Sequence, residues 1–462
     1  MQKIKLSRRD FLKLTSTTAA GAFLASCAPK LNPTPAATGI PATDVPVAKF
    51  TGELQFWDWN FEPRQTYFAE LFPAWQEANP GITINYTTQE WGDAQTRLLT
   101  AASAGNPPPM ANIHSAWRPD LQRSGNLVPY PEDLLPFDKL LSTPFLRDPG
   151  TGRIYTTTFL YYCDQLYLNT ALLEAEGIAV EDVPTKWEEY FLMCQQLTKR
   201  DSSDVMTQAG MTLNHYYSRE WLWQTLLYQM GGWQWTEDGQ RANWNCPEGV
   251  EALQMIKDVY HKYKIDDPNF LGLFDAFGTN TAASFISQGY IGAGLDSWYP
   301  DVVGKWTTLK TPTFTGGLPD HAWGVVSPEE GLGVFEGFPQ EEVDACFDFI
   351  KFAIASDENA IKWAVMGGGP CDRSDLLSHP DLLAGDHNNV IATQADTLPY
   401  RVNYGERPLE AEKYWRDMFD AVILLDADPQ EALDTATEGV NSELDAAAKT
   451  RIITERAYQQ PG

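Results

Sequence analysis

The stretch from Gly52 to Tyr86, GELQFWDWNFEPRQTYFAELFPAWQEANPGITINY, decides the fold class. Leu54-Gln55-Phe56-Trp57 is a short apolar strand. Between Gln65 and Ala78, Phe68, Leu71, Phe72 and Trp75 recur at helical spacing, and Asn79-Pro80-Gly81 supplies the stop signal. Ile82, Ile84 and Tyr86 then alternate with polar residues, the period of a strand. Strand, helix and strand in so short a span make a βαβ unit, which predicts an α/β fold with a parallel sheet and helices on its faces.

The theme continues downstream. Thr185-Lys186-Trp187-Glu188 has the spacing of a capping box, and the helix behind it buries Trp187, Phe191, Cys194 and Leu197. Pro247 opens a helix whose stripe is Val250, Leu253, Ile256, Tyr260 and Tyr263. A further helix is predicted from about Gln340 to Ala355, and an Ala-rich one from about Gln430 to Arg456. No fixed-period repeat is present.

With 462 residues the chain holds two or more domains and can bury a large core. Its net charge is −28, and residues 1–26 hold five Lys/Arg against one Asp, which leaves the remainder at −32. Such acidity excludes a nucleic-acid surface, which must be basic, and disfavours a broad face lying on anionic lipid. The 16 Trp residues suit both cores and carbohydrate sites, because an aromatic face buries much area at little rotamer cost. Apart from Cys27, the cysteines are Cys163, Cys194, Cys246, Cys346 and Cys371; with no CxxC pair they fit neither a zinc framework nor a dense disulfide scaffold, and at most one disulfide is expected. Cys194 and Cys346 fall on apolar helix faces and read as core.

The N-terminus reads as an address. Ser7-Arg8-Arg9-Asp10-Phe11-Leu12-Lys13 resembles the twin-arginine export motif, and the weak apolar run from Phe11 to Ala25 is too short and polar to span a membrane. Leu24-Ala25-Ser26-Cys27 resembles a lipobox, in which the Cys27 thiol receives a diacylglycerol and cleavage occurs before it. Two or three acyl chains, at about 0.8 kcal/mol per buried methylene, make such an anchor stable. Residues 28–49, rich in Pro, Thr and Ala, read as a flexible tether. The expectation is an exported body held at the outer face of the bacterial cytoplasmic membrane, touching the membrane only through its lipid.

Several segments, taken in order, resemble the extracellular solute-binding proteins of ABC importers, in the sugar-binding branch related to maltose-binding protein. They are Leu98–Pro108, a helix followed by a Gly-x-Pro-Pro loop; Gly125-Asn126-Leu127-Val128-Pro129-Tyr130; Gly152-Arg153-Ile154-Tyr155 with Leu166-Tyr167-Leu168-Asn169; Val183–Glu189; Asn245–Leu253; Phe285–Ala293; and Asp344–Phe352. The chain departs from the family at Pro109-Met110 and at Thr156-Thr157-Thr158. The resemblance implies a type II periplasmic-binding-protein fold with two lobes. The N-terminal lobe would comprise residues 50–159 and 331–372, and the C-terminal lobe 160–330 and 373–458. A ligand would bind in the cleft between lobes that close about a hinge, and ABC permease subunits would be the partners of a monomer.

A sugar offers apolar C–H faces and a rim of hydroxyls, so its site needs aromatic rings beside Asp, Asn or Arg. Aromatic–polar clusters at expected strand ends give the candidates. Asp58 and Trp59 follow the first strand, with Trp59 rather than Trp57 expected to be exposed; Trp117 and Asp120 follow a strand at Ala111–His114; Tyr162 lies at the first crossover. Asp296, Trp298 and Tyr299 end an expected strand from Ile291, with Trp298 the leading stacking platform, and Gly368 and Arg373 belong to a Gly-rich loop similar to one that lines the family's cleft. Trp221 and Trp223 read as core, whereas Trp233 and Trp235 rim the cleft or cover a turn. No GxSxG, HExxH, P-loop or EF-hand pattern occurs, the six His lack metal-ligand spacing, and no cofactor or metal is expected. The alternatives are a secreted glycoside hydrolase, which needs two carboxylates about 5–10 Å apart, and a ligand sensor for a signalling receptor.

Overall fold

The structure, a computed structural model, describes residues 50–447, apart from 116, 149, 238–239, 319–320, 328–329, 387 and 404–408, together with 456–457. The expected signal segment with Arg8 and Arg9, and the tether with Cys27, lie outside the described residues.

β1 (Gly52–Trp59), α1 (Glu62–Ala78) and β2 (Ile82–Gln89) form the βαβ unit, with Gly52 paired in parallel to Ile82 and Trp59 to Gln89. α1 buries Phe68, Leu71, Phe72 and Trp75, the residues its spacing selects, and Pro63 sits in its first turn, where a missing N–H costs no helical bond. α2 (Trp91–Ser103) leads to β3 (Met110–His114), parallel to β1 on its other side, and β3 is followed by α3 (Arg118–Arg123). β8 (Glu330–Val334), from much later in the chain, closes this sheet antiparallel to β3, giving the order β8-β3-β1-β2.

The second sheet is centred on β4 (Tyr162–Asn169). Antiparallel to it run β5 (Ser284–Gln288), β6 (Trp306–Leu309) and β7 (Gly324–Ser327). β9 (Arg401–Asn403) lies parallel to β7, and β10 (Arg456–Ala457) runs antiparallel to β9 at the edge. Helix α5 (Tyr216–Gln229) packs on this sheet, α6 (Pro247–His261) packs on α5, and α11 (Leu409–Leu424) and α12 (Pro429–Ala447) pack on α6, with α4 (Trp187–Leu197) in the same core. The parallel character is thus concentrated in the first sheet, and the second is mixed.

Each sheet has its own core. In the first, Phe56, Phe68, Phe72, Trp75 and Phe349 interlock, with Phe349 supplied by α8 (Gln340–Ala355) at the predicted position. In the second, Trp223, Trp235, Trp244 and Trp415 meet with centroid separations of 5.1–6.4 Å. Trp235 therefore belongs to the core, and Trp233 is exposed away from the cavity described below. All five cysteines of the described residues are free, with Cys194 and Cys346 buried.

Two stretches run between the sheets side by side. Thr156 pairs with Gly333, and a Cβ on Gly331 would lie 1.4 Å from the Thr157 carbonyl oxygen, so only glycine lets these backbones approach. A third stretch, following α9 (Asp357–Gly367), braces the first: Tyr161 N–H donates to the Pro370 carbonyl and Leu160 pairs with Cys371. Leu376 and Leu382, past the expected lobe boundary at 372, still pack in the first core. The chain then rejoins the second sheet through α10 (Val390–Thr397), where Gln394 accepts from Cys163 N–H and donates to the Gly368 carbonyl.

Three local expectations are corrected. The segment from Ile291 is not a strand: Tyr290–Trp298 is a helix, α7, because Gly289 ends β5 and the following side chains pack at helical spacing through Ile291 and Leu295. The capping box does not form: the α4 N-cap is Lys186, which shifts Glu188 to the second helical position, while the Thr185 carbonyl accepts Thr313 N–H at 2.9 Å. The last helix ends at Ala447, and Arg456 lies in β10.

Candidate functional site

A cavity of about 980 Å³ opens where the carboxyl ends of β1, β2 and β3 face elements of the second sheet. This is the end at which open parallel sheets gather ligands, since the loops leaving the strands diverge there. From the first side come Trp59 at the end of β1, Trp91 at the first position of α2, His114 at the end of β3, and Trp117 just beyond it. Trp91 packs edge-on to Trp59 at 5.0 Å and tilted over Trp117 at 4.9 Å, so its own face is held outward, 36% exposed. From the second side come Tyr162 at the start of β4, Tyr217 and Trp221 of α5, and Tyr290 and Trp298 of α7. Tyr217 stacks on Trp221 at 5.6 Å and 18°, and Trp298, 38% exposed, meets Phe61 at 6.5 Å.

Both arginines of the lining are tied to carboxylates. Arg64, fully buried, donates to both Asp58 oxygens at 2.7 and 2.8 Å and to Glu330. Its guanidinium lies 4.5 Å from the Trp59 ring centroid. Burial opposes the charge on Arg64, but Asp58 and Glu330 hold it and raise its pKa above the ordinary arginine value. Tyr86 and Asn112 also donate to Asp58, at 2.6 and 3.0 Å. Across the cavity Arg416 pairs with Glu412 one helical turn away on α11 and covers the Tyr216 ring. His215 is pushed down to about 4 by burial and then by Arg219 and Arg416, so it is neutral at pH 7. Glu62 accepts from Ser297 at 3.3 Å, joining α1 to α7 at the cavity's edge.

Of the ten expected ligand residues, Trp59, Trp117, Tyr162 and Trp298 line this cavity. Trp59 is only 8% exposed, contrary to its expected exposure, because Trp91 and Trp117 close round it; Trp57 is the half-buried one, under Arg97. Asp296 and Gly368 line a separate pocket of about 350 Å³, where Asp296 accepts from Trp306 Nε1 at 2.6 Å and Gly368 caps α9 with φ +70°. The other four line neither. Asp58 is consumed by Arg64. Asp120 sits in the first turn of α3, outside the cavity lining. Tyr299 donates to Asp275 at 3.0 Å. Arg373 is buried and bonded to Asp375, Asp357 and the Ala355 carbonyl, so its loop braces the crossing.

The sequence reading missed Phe61, Trp91, His114, His215, Tyr217, Tyr290, Glu412 and Arg416, and assigned Trp221 to the core; all line the cavity. Trp91 was detectable, since it follows a strand end as Trp59 does. Phe61 and His114 share that strand-end signal, and the others carry none.

The profile of bacterial extracellular solute-binding proteins matches residues 58–360. A protein of Brucella abortus (strain 2308) named as a binding protein is 23% identical over 236 residues, 49% of this chain and 53% of that protein. The chain thus spans about half the length of the curated relatives it matches. Among solved structures, an ABC transporter solute-binding protein of Thermotoga lettingae bound with α-D-tagatose superposes with a TM-score of 0.70 at 21% identity, covering 85% of this chain and 100% of that one. The maltose/maltodextrin-binding domain MalE of Bdellovibrio bacteriovorus bound to maltotriose gives 0.70 at 17%, covering 86% and 100%. UgpB of Mycobacterium tuberculosis in complex with glycerophosphocholine gives 0.70 at 15%, with the same coverage. These likenesses establish the two-lobe α/β fold.

Proposed function

This chain belongs to the bacterial extracellular solute-binding protein family, and on that premise we propose that its cavity captures a sugar or related polyhydroxylated solute and delivers it, chemically unchanged, to the permease of an ABC importer. The observation that carries the reading is the cavity: aromatic faces on both walls, with side-chain oxygen and nitrogen between them from Asn60, Gln65, Gln95 and His114. Aromatic faces stack on the C–H faces of a sugar, and amides and imidazoles bond its hydroxyls. Solved relatives of the same fold are described with bound tagatose, maltotriose and glycerophosphocholine.

The absence of catalysis is part of the proposal. A glycoside hydrolase needs a carboxyl set in an apolar pocket as proton donor beside a second carboxylate. Here Glu330 is held against Arg64 and Glu412 against Arg416. The proposal also takes the body to be a monomer, exported through the Arg8-Arg9 signal and anchored through Cys27. Among the described residues no helix is long and apolar enough to cross a membrane.

A thermal-shift screen of the chain against a carbohydrate panel tests the reading. A ligand at 100 times its Kd stabilises the native state by about 2.7 kcal/mol, which is readily seen as a raised Tm. Recovery of the bound glycan intact is expected; its cleavage would refute the non-enzymatic role.

A further inference from the structure

Resting on the reading of the cavity as a carbohydrate cleft, we infer that its ligand is an uncharged oligosaccharide of about two to four rings, selected by aromatic platforms on both walls and by a lining whose arginines are already paired.

Size is the first observation. The cavity holds about 980 Å³, the upper end of the roughly 300–1,000 Å³ that accommodates drug-sized ligands. A single hexose, with roughly a dozen non-hydrogen atoms, would leave most of that space to water and gain little of the available contact.

Platform spacing is the second. The aromatic lining stands on two walls. Trp91 rests on Trp59 and Trp117 at the ends of the first sheet's strands. Tyr217 stacks on Trp221 on α5, and Trp298 stands at the end of α7 against Phe61. Tyr290 lies 6.4 Å from both Trp221 and Phe61 and joins the last two, so the rings form two groups that border one cavity. One sugar ring covers one such face, whereas linked rings cover successive faces without a second cost in association entropy.

Charge is the third. Arg64 lies between Asp58 and Glu330. Arg416 is paired with Glu412. His215 is neutral at pH 7. Among the described lining residues every arginine therefore has its counter-charge, and Glu62 adds one more carboxylate. A phosphate or uronate ligand would have to break an existing pair, in the field of a chain whose net charge is −28. An uncharged glycan meets neither obstacle.

The test is native mass spectrometry of the full chain, incubated with partial hydrolysates of starch, xylan, galactan and β-glucan, with galacturonate oligomers, and with glycerophosphocholine. The retained mass reads ring number and charge directly. Retention of neutral species of about two to four rings, with calorimetry showing the matching monosaccharide at least about tenfold weaker, is the expected result. A monosaccharide bound as tightly as its oligomers would overturn the size assignment and leave the carbohydrate reading standing. Preferential retention of galacturonate oligomers or glycerophosphocholine would overturn the charge assignment. Retention of no glycan from any ladder would overturn this inference together with the carbohydrate reading beneath it.

Discussion

Replacing Arg64 by Met is the sharpest test of how the cavity floor is held. Arg64 is 1% exposed and joins three strands of one sheet: through Asp58 it holds β1, through Glu330 it holds β8, and Asn112 of β3 shares the same Asp58 oxygen. Methionine approximates the stem and removes the guanidinium. Two buried carboxylates then face each other without a cation, a situation that costs about 3–5 kcal/mol when one member of a buried pair is deleted. Loss of the cation over Trp59 adds about 0.5–2 kcal/mol. We expect Arg64→Met to lose about 4 kcal/mol in urea unfolding, with an unchanged denaturant slope. Arg64→Lys should keep part of the stability, since an ammonium cannot copy the planar fork, and adding Glu330→Gln to Arg64→Met should restore part of the loss. A loss below about 1 kcal/mol would refute the idea that this ion cluster holds the floor.

Other predictions follow from single contacts. The Asp372 carboxyl, buried and bonded by Ser142 N–H and Oγ–H at 2.8 and 2.5 Å, is pushed up to about 8 by burial. The folded state therefore holds its proton more tightly than the unfolded state, and this group's contribution is full below about pH 4 and is lost as pH rises towards 8. Asp372→Asn should flatten the stability profile over that window; an unchanged profile would show that the carboxyl is not desolvated. Gly331→Ala should cost about 3 kcal/mol or more, because the new methyl meets the Thr157 carbonyl backbone and no side chain can yield; a fully stable variant would contradict the packing of the two crossing stretches. Trp221→Ala should weaken glycan binding and also destabilise the second lobe, since the ring backs Tyr217 and is 4% exposed; calorimetry on the folded fraction separates the two effects.

The fold was legible where one period dominated. The βαβ opening and the helix at Gln340–Ala355 read correctly because apolar residues recur at spacings of two or of three and four, and tertiary packing used those same residues. Tyr290–Trp298 was misread because YIGAGL is a short apolar run broken by glycines, in which strand and helix cannot be told apart by period. The site was half legible for a different reason. Aromatic residues beside polar ones at expected strand ends and at the first crossover pointed to Trp59, Trp117, Tyr162 and Trp298, all at the cavity, although Trp298 ends a helix. Asp58 and Arg373 lie outside its lining, because a polar side chain beside an aromatic motif can equally be half of an ion pair. Asp58 is taken by Arg64 six residues on, and Arg373 by Asp375 and Asp357. Tyr217, Glu412 and Arg416 reach the cavity from helices that bear no local mark of it.

The most direct test of the central claim is calorimetric titration of the chain and of its Trp298→Ala variant with the glycan retained in the mass-spectrometric screen. Saturable one-to-one binding by the parent, weakened at least about tenfold in the variant while its unfolding midpoint is unchanged, is the result this account predicts. Binding at full strength by Trp298→Ala would contradict the placement of the ligand in this cavity, and no saturable binding by the parent would contradict the carbohydrate-binding role itself.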